Sequence, residues 1–162
     1  RPGQLNGHEV QVPATEWGPL ELIRARRVIE GEIAALAATQ GKRRQLDAIG
    51  AAIASMHADA DAGIQPRTGD RAFHVAVAEA AGNVVLLETV QTFWDARRGP
   101  LFERLGDHFE SVPSWRKAVT EHEQVYEAIR AHDAPAARAA MQYHLDRAHS
   151  RFSASWRRAN SS

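Results

Sequence analysis

Residues 114–144 read SWRKAVTEHEQVYEAIRAHDAPAARAAMQYH. We predict a helix over about 114–131 and a second helix directly after it, because Asp133 can cap the second helix and Pro135 suits its first turn. The short connection between them predicts an antiparallel helical hairpin.

The hairpin brings two histidines to the same height. His122 lies ten residues before His132 at the turn, and His144 lies eleven residues after Asp133. At a rise of 1.5 Å per residue, each is about 15 Å from the turn. Two imidazole rings at equal height on adjacent helices could share one ligand.

The rest of the chain predicts four more helices. Pro19 suits the first turn of an amphipathic helix, and the turn-rich segment GIQPRTG separates the second helix from the third. No stretch alternates polar and apolar residues with period two, so we expect an all-α domain. The four helices are predicted over about 19–40, 43–62, 70–81 and 84–98.

Composition narrows the class of protein. The chain has 162 residues, which suits one domain with its own core. Its formal net charge is zero, so nothing indicates nucleic-acid binding by this segment. It has no cysteine, no visible signal peptide and no apolar run near the ~20 residues that a membrane helix needs. We therefore expect a cytoplasmic protein without disulfides.

Four residues could hold a metal ion. Asp70 and His74 stand four apart in a predicted helix, so they lie on one face. With His122 and His144 they form a set of one carboxylate and three imidazoles, which suits Zn²⁺ or Ni²⁺ and also fits Mn²⁺ or Fe²⁺. An octahedral ion would keep up to two positions for ligand oxygens. Each histidine taken alone is more often an ordinary core or surface residue, and the hairpin symmetry favours a shared site.

Two motifs carry a family resemblance. They are D-x-x-F-H-x-A-x-A-E-A-x-G-N, starting at Asp70, and H-x-x-V-Y-E-A-I-x-x-x-D-x-x-A-A-R-x-A-M-x-x-H-L, starting at His122. With the helix ARRVIEGEIAALAA before them, they resemble the FCD domain over about residues 19–153. This domain is the C-terminal effector-binding and dimerisation domain of FadR-subfamily GntR transcription regulators. The resemblance implies an antiparallel bundle of six to seven helices, with a divalent ion at the base of the effector pocket held by Asp70, His74, His122 and His144.

The resemblance also implies partners and domain limits. The opening helix is similar to that of regulators of hexuronate utilisation, which implies a sugar acid such as a uronate as effector. Such regulators are homodimers with an N-terminal winged helix-turn-helix. We expect residues 1–15 to be a linker remnant and residues 16–159 to be the effector-binding domain. Operator DNA would be contacted only through the N-terminal domain, which is absent from this chain.

Three arginines of the first helix are alternative candidates for binding a ligand in the pocket. Arg24, Arg26 and Arg27 cannot all face one way, since neighbours differ by about 100° around the helix. The residues alone leave the choice open, whereas the family's effector-binding arginine maps onto Arg26. Glu30 could pair with Arg26 in the absence of a ligand, or form an ordinary helix salt bridge worth about 0.3–0.5 kcal/mol.

Further candidates lie around the fourth helix. Arg97 or Arg98 could line the pocket, or form a basic helix end that the macrodipole favours. Trp94 is expected in the core or at a dimer interface. Asn83 is favoured as the cap of the fourth helix, with a place in the pocket as the alternative. The predicted ligand-binding residues are thus Arg26, Arg97, Glu30 and Asn83.

These features predict a metal-dependent sensor domain of a transcription regulator, which binds a small organic acid and is not an enzyme. The alternative is a metal-dependent hydrolase or lyase acting on a small carboxylate, which needs a general base near the ion. Glu79 lies five residues past His74 and so points away from its face, and no HExxH-type motif is present. A third interpretation is a metal ion that only stabilises the bundle.

Overall fold

The computed structural model describes residues 12–102 and 111–161. Within these ranges the chain forms a 3-10 turn, Ala14–Glu16, six α-helices that lie wholly within them and a further helical segment at 100–102, with no β-strand. The predicted class, an antiparallel helical bundle, is confirmed. No described helix has an apolar segment long enough to cross a bilayer. The helices are α1 (Pro19–Gln40), α2 (Arg43–Asp61), α3 (Arg67–Ala80), α4 (Val84–Ala96), α5 (Val112–Arg130) and α6 (Ala134–Ala159).

Helix α1 is the central element of the bundle. It packs along α6 and also contacts α3, α4 and α5. Small side chains permit this close approach, since Ala34, Ala37 and Ala38 of α1 are fully buried. Larger buried side chains such as Phe73 and Ile129 fill the remaining space, each contributing about 1.5–3 kcal/mol. This packing sets the height and rotation of the helices that carry the site.

Helix α3 begins at Arg67, three residues before the predicted start at Asp70. The difference arises at Gly69, which the sequence pattern placed in a turn. A Cβ at Gly69 would lie 2.6 Å from Cγ of Met56 and 3.0 Å from the carbonyl oxygen of Ala52, both on α2. Gly69 is therefore a helical residue whose lack of a side chain lets α3 pack closely against α2.

Helix α5 also begins earlier than predicted. Ser111 caps it by accepting a hydrogen bond from the N–H of Ser114 at 3.3 Å, so the helix starts at Val112. Pro113 occupies the first turn of α5 instead of a loop, because its missing N–H has no helical partner there. The predicted linker, residues 1–15, lies mostly outside the described residues, as does most of the segment before α5.

The predicted hairpin is formed by α5 and α6. In its turn, His132 has a left-handed backbone with φ of 55°. Asp133 caps α6 by accepting a hydrogen bond from the N–H of Ala136 at 3.0 Å. As a consequence, the ring centroids of His122 and His144 lie 4.2 Å apart.

Candidate metal and ligand site

The four predicted metal ligands, from α3, α5 and α6, lie together inside the bundle. Oδ1 of Asp70 is 3.3 Å from Nε2 of His74 and 3.0 Å from Nε2 of His122. One ligand atom from each of His74, His122 and His144 falls within 4.8 Å of the other two, and all three residues are buried. The three imidazoles thus lie close enough to contact a single ion, and the Asp70 carboxylate lies next to two of them.

Each histidine ring is held through its Nδ1 atom. Nδ1 of His74 donates a hydrogen bond to Oε1 of Glu30 at 2.6 Å. Nδ1 of His144 donates to Oε1 of Glu121 at 2.7 Å. Nδ1 of His122 donates to a backbone carbonyl oxygen one turn earlier on α5, at 2.5 Å. With a hydrogen on each Nδ1, Nε2 is the atom that remains for a metal ion, an arrangement typical of metal-binding histidines.

Glu30 links His74 to Arg26. The Glu30 residue is only 1% exposed, and its Oε2 accepts a hydrogen bond from Nε of Arg26 at 2.5 Å. Burial acts to raise the pKa of the Glu30 carboxyl, but Arg26 and His74 outweigh burial and lower the pKa to about 2. Burial likewise acts to lower the pKa of the His74 imidazole, whereas the Glu30 carboxylate and Asp70 raise it overall. The Arg26–Glu30 pair is therefore a buried part of the site and not an exposed helix salt bridge.

Glu121 links His144 to Arg151 in the same way. Nη1 and Nη2 of Arg151 each donate a hydrogen bond of 2.9 Å to the Glu121 carboxylate. Burial acts to raise the pKa of the Glu121 carboxyl, but Arg151 and His144 lower it to about 2. Burial together with the nearby His122 lowers the pKa of His144 to about 3. His144 is therefore neutral, which is the form that binds metal ions.

Asp70 supplies the one carboxylate among the four. Burial acts to raise its pKa, but the adjacent His122 and His74 imidazoles bring the pKa well below its ordinary value. Its side chain is 25% exposed, and its Oδ2 lies 3.6 Å from Nη1 of Arg97. Asp70 is thus an ionised oxygen donor between the histidines and the arginine.

These residues fit a divalent metal ion. Nε2 of His74 is buried and has no hydrogen-bond partner, because its contact with Asp70 lacks hydrogen-bond geometry. A buried polar atom without a partner costs about 1–3 kcal/mol, and coordination to an ion would remove that cost. Three imidazole nitrogens and one carboxylate oxygen form a donor set that suits Zn²⁺ or Ni²⁺.

The four residues lie on the lining of a cavity of about 640 Å³. Trp94 forms part of the wall between two arginines. The guanidinium carbons of Arg26 and Arg97 lie 5.4 and 4.1 Å from its ring centroid, within the range of cation–π attraction. The cavity therefore combines the candidate metal centre with cationic groups that suit an anionic ligand.

Of the three arginines on α1 that helix position alone left open, Arg26 lines the cavity. Arg24 and Arg27 turn towards α6, where each lies close to Asp146 at 3.4 and 2.8 Å. Arg98, at the end of α4, also lies on the lining, but its side chain is 72% exposed.

Two predicted ligand-binding residues are not on the cavity lining. Asn83 caps α4, and its side-chain oxygen accepts hydrogen bonds from the N–H groups of Val85 and Leu86 at 3.0 and 3.1 Å. The predicted pocket role of Asn83 is therefore not retained, because that oxygen is already engaged in the cap. Glu30 lies behind His74, so it acts on the metal centre and not directly on a ligand.

Sequence reasoning missed four residues of the site. Arg151 stands seven residues after His144, two helical turns further on, so its place on the same face of α6 was a readable signal. No sequence pattern links Glu121 to His144. Arg67 and Arg71 also line the cavity; the predicted start of α3 at Asp70 left Arg67 outside the helix of the metal ligands, whereas Arg71 lay within the predicted helix.

Comparison with known proteins finds a matching domain family and similar sequences among transcription regulators. The family described as FCD domain matches residues 21–147. The chain is 32% identical over 132 residues to the Uxu operon transcriptional regulator of Escherichia coli (strain K12), covering 80% of this chain and 51% of that protein. It is 32% identical over 133 residues to the Exu regulon transcriptional regulator of the same strain, covering 80% and 50%. The chain thus spans about half the length of the curated relatives it matches.

Solved structures share the fold. The likeness to Streptococcus agalactiae GntR has a TM-score of 0.66 at 20% identity, covering 84% of this chain and 58% of that one. The likeness to E. coli McbR/YncC has a TM-score of 0.74 at 17% identity, covering 84% and 64%. At these identities the two structures support the helical fold alone.

Proposed function

Because this chain belongs to the FCD domain family, we propose that it is the effector-sensing domain of a GntR/FadR-type transcription regulator. It binds a small organic acid at a divalent metal ion held by Asp70, His74, His122 and His144. The observation that carries this proposal is the convergence of three histidines and one carboxylate on the lining of a cavity that also holds Arg26.

We expect the ion to be Zn²⁺ or Ni²⁺, with Mn²⁺ or Fe²⁺ as the next candidates. When bound, it would supply a positive centre that coordinates oxygens of the acid. The side chains of the protein orient the metal ligands and bind the rest of the acid. Glu30 and Glu121 orient two of the histidines through Nδ1. Arg26 can offer a planar fork of N–H donors to a carboxylate, and Arg97 adds a second positive charge on the same lining.

The relatives and the opening helix support the proposed effector class. Similarity to the Uxu and Exu regulators supports a sugar acid such as a uronate. Binding would act by favouring one of two arrangements of the helices, since a ligand shifts an equilibrium only through differential affinity. Residues 16–159 would form the sensing domain of a cytoplasmic homodimer, joined through a linker at residues 1–15 to a winged helix-turn-helix that contacts operator DNA.

The first test is the metal content of the purified chain by elemental mass spectrometry. We expect about one ion per chain in the wild type and none in His122→Ala, because the variant loses one of four ligands. The control is His57→Ala, since His57 is exposed and pairs with Glu123 away from the cavity. A wild-type chain that takes up neither Zn²⁺ nor Ni²⁺ on soaking would overturn the metal half of the proposal.

The second test is thermal unfolding with galacturonate, with and without the ion. We expect the acid to raise Tm only for the metal-loaded chain. If Tm rises with metal alone and no acid adds to it, the ion only stabilises the bundle.

The same incubation separates a sensor from a hydrolase or lyase. Among the described residues, Asp70 is the only acid on the cavity lining, and it is assigned to the ion. Glu79 is exposed on α3 and does not lie on that lining. We therefore expect NMR to recover the acid unchanged, whereas conversion of the acid would favour the enzyme.

A further inference from the structure

The cavity is lined by more positive than negative charge. Six arginines, from α1, α3, α6 and the turn after α4, lie on its lining, and Asp70 is the only acid there within residues 12–102 and 111–161. The arginines are Arg26, Arg67, Arg71, Arg97, Arg98 and Arg151.

Four of these arginines already face a carboxylate. The pairs are Arg26–Glu30, Arg151–Glu121, Arg97–Asp70 and Arg98–Asp95. Arg67 and Arg71 differ from them, since neither forms an ion pair within the described part of the chain. Among the described residues, six guanidinium groups of the lining therefore face four carboxylates, two fewer than would pair each of them, before any ion is added.

A divalent ion at the histidines would increase this excess. A ligand with a single carboxylate neutralises only one charge, and positive charges crowded around a cleft with low-dielectric walls favour further anionic groups. The charge of the lining thus fits a ligand with more than one negative group better than it fits a monoacid.

The two unpaired arginines lie at a defined distance from the metal centre. Arg67 and Arg71 stand four residues apart on α3, so they share one face of that helix. They precede His74 by seven and three residues, which places them about 10 and 5 Å from it along the helix axis. Both arginines are exposed whereas His74 is buried, so the arginines lie at the open end of the cavity and the histidine at its floor.

We propose that Arg67 and Arg71 form a second anion subsite at the mouth of the cavity, and that the effector carries two anionic groups. One group lies at the metal centre and the other at the arginine pair. A six-carbon chain, with five bonds of about 1.5 Å each, is comparable in length with these axial offsets, and the long arginine side chains can extend towards its far end. This inference rests on the proposed function and narrows its ligand class to sugar acids with a second carboxylate or a phosphate, since guanidinium groups bind both through charge-assisted hydrogen bonds.

The test is isothermal titration of the metal-loaded chain with three six-carbon probes. Galacturonate has one carboxylate, galactarate has two, and 6-phosphogluconate has a carboxylate and a phosphate. At physiological salt, which screens non-specific attraction, we expect at least one dianion to bind about tenfold or more tightly than galacturonate. The tighter of the two dianions identifies the second group as carboxylate or phosphate.

The double variant Arg67→Gln/Arg71→Gln isolates the subsite. We expect it to lose the preference for the dianion and to weaken galacturonate binding far less than dianion binding, while its metal content stays unchanged. The matched control is Arg43→Gln/Arg44→Gln, which removes the same charge from two exposed arginines in the first turn of α2, away from the cavity. The control variant should keep the preference.

Three results would overturn the subsite and leave the proposed function intact. The first is equal affinity of the wild type for galacturonate and both dianions. The second is a dianion preference that survives in Arg67→Gln/Arg71→Gln, and the third is a preference lost equally in the control variant. If no acid binds the metal-loaded wild type, both the subsite and the proposed function fail.

Discussion

Replacing Glu121 with Gln tests how the metal centre is held in place. Gln keeps the shape of the side chain but removes the charge that orients His144 and binds Arg151. The variant therefore leaves all four proposed ligands present. Any change in metal affinity then reports on the orientation of His144 and not on the loss of a ligand.

Two magnitudes follow from the structure. Removing one partner of a buried ion pair costs about 3–5 kcal/mol, but Arg151 is 19% exposed and lines the cavity, so we expect about 1–3 kcal/mol of lost stability. For a domain of this size, that loss lowers the Tm of the metal-free chain by about 2–10 °C. Loss of an outer-shell partner weakens metal binding about 10–100-fold, so Kd should rise by that factor while the stoichiometry stays near one.

The assay is competition for Zn²⁺ against a chromophoric chelator, with circular dichroism to confirm that the variant is folded. The matched control is Glu123→Gln, because Glu123 is a neighbouring glutamate on α5 that pairs with the exposed His57. The control should keep wild-type metal affinity and change stability by less than about 0.5 kcal/mol. A folded Glu121→Gln chain that binds Zn²⁺ as tightly as the wild type would refute the claim that Glu121 positions His144.

Three further predictions concern pH, packing and helix capping. The pKa of Glu121, about 2 in the fold against an ordinary 4.5, means that its stabilisation is present above about pH 4.5 and is lost towards pH 2. In urea unfolding, the stability gap between the wild type and Glu121→Gln should therefore narrow as pH falls, and a constant gap would contradict this. Gly69→Ala should lower stability by about 1–2 kcal/mol, since overpacking against Met56 and the α2 backbone exceeds the gain of about 1 kcal/mol in helix propensity. An unchanged or higher Tm in that variant would show that α2 can move aside. Asp133→Ala should cost about 1 kcal/mol through loss of the α6 cap, whereas Asp133→Asn should retain most of that stability.

The helices could be predicted because their signals are local. Caps, first-turn prolines and helical periodicity depend on neighbouring residues, and Asp133 caps α6 at the predicted place. At the start of α3 the prediction failed because a distant element decides the outcome. Glycine is locally unfavourable in a helix, and Gly69 is helical because α2 passes too close for a side chain.

The sequence alone specified the chemical types of the candidate ligands and their height along the helices. The spacing of Asp70 and His74 places them on one face, and the distances of His122 and His144 from the turn match. Both follow from helix geometry within a single segment or hairpin.

Only the tertiary structure decided how that centre is supported and which arginines surround it. Arg26 turns into the cavity while Arg24 and Arg27 turn to α6, and Glu121 reaches His144 from the adjacent helix. These contacts depend on the rotation of each helix about its axis, at about 100° per residue, and on the packing that fixes the rotation. That packing is set by buried side chains far apart in the chain, so no local sequence pattern predicts the rotation of the helices.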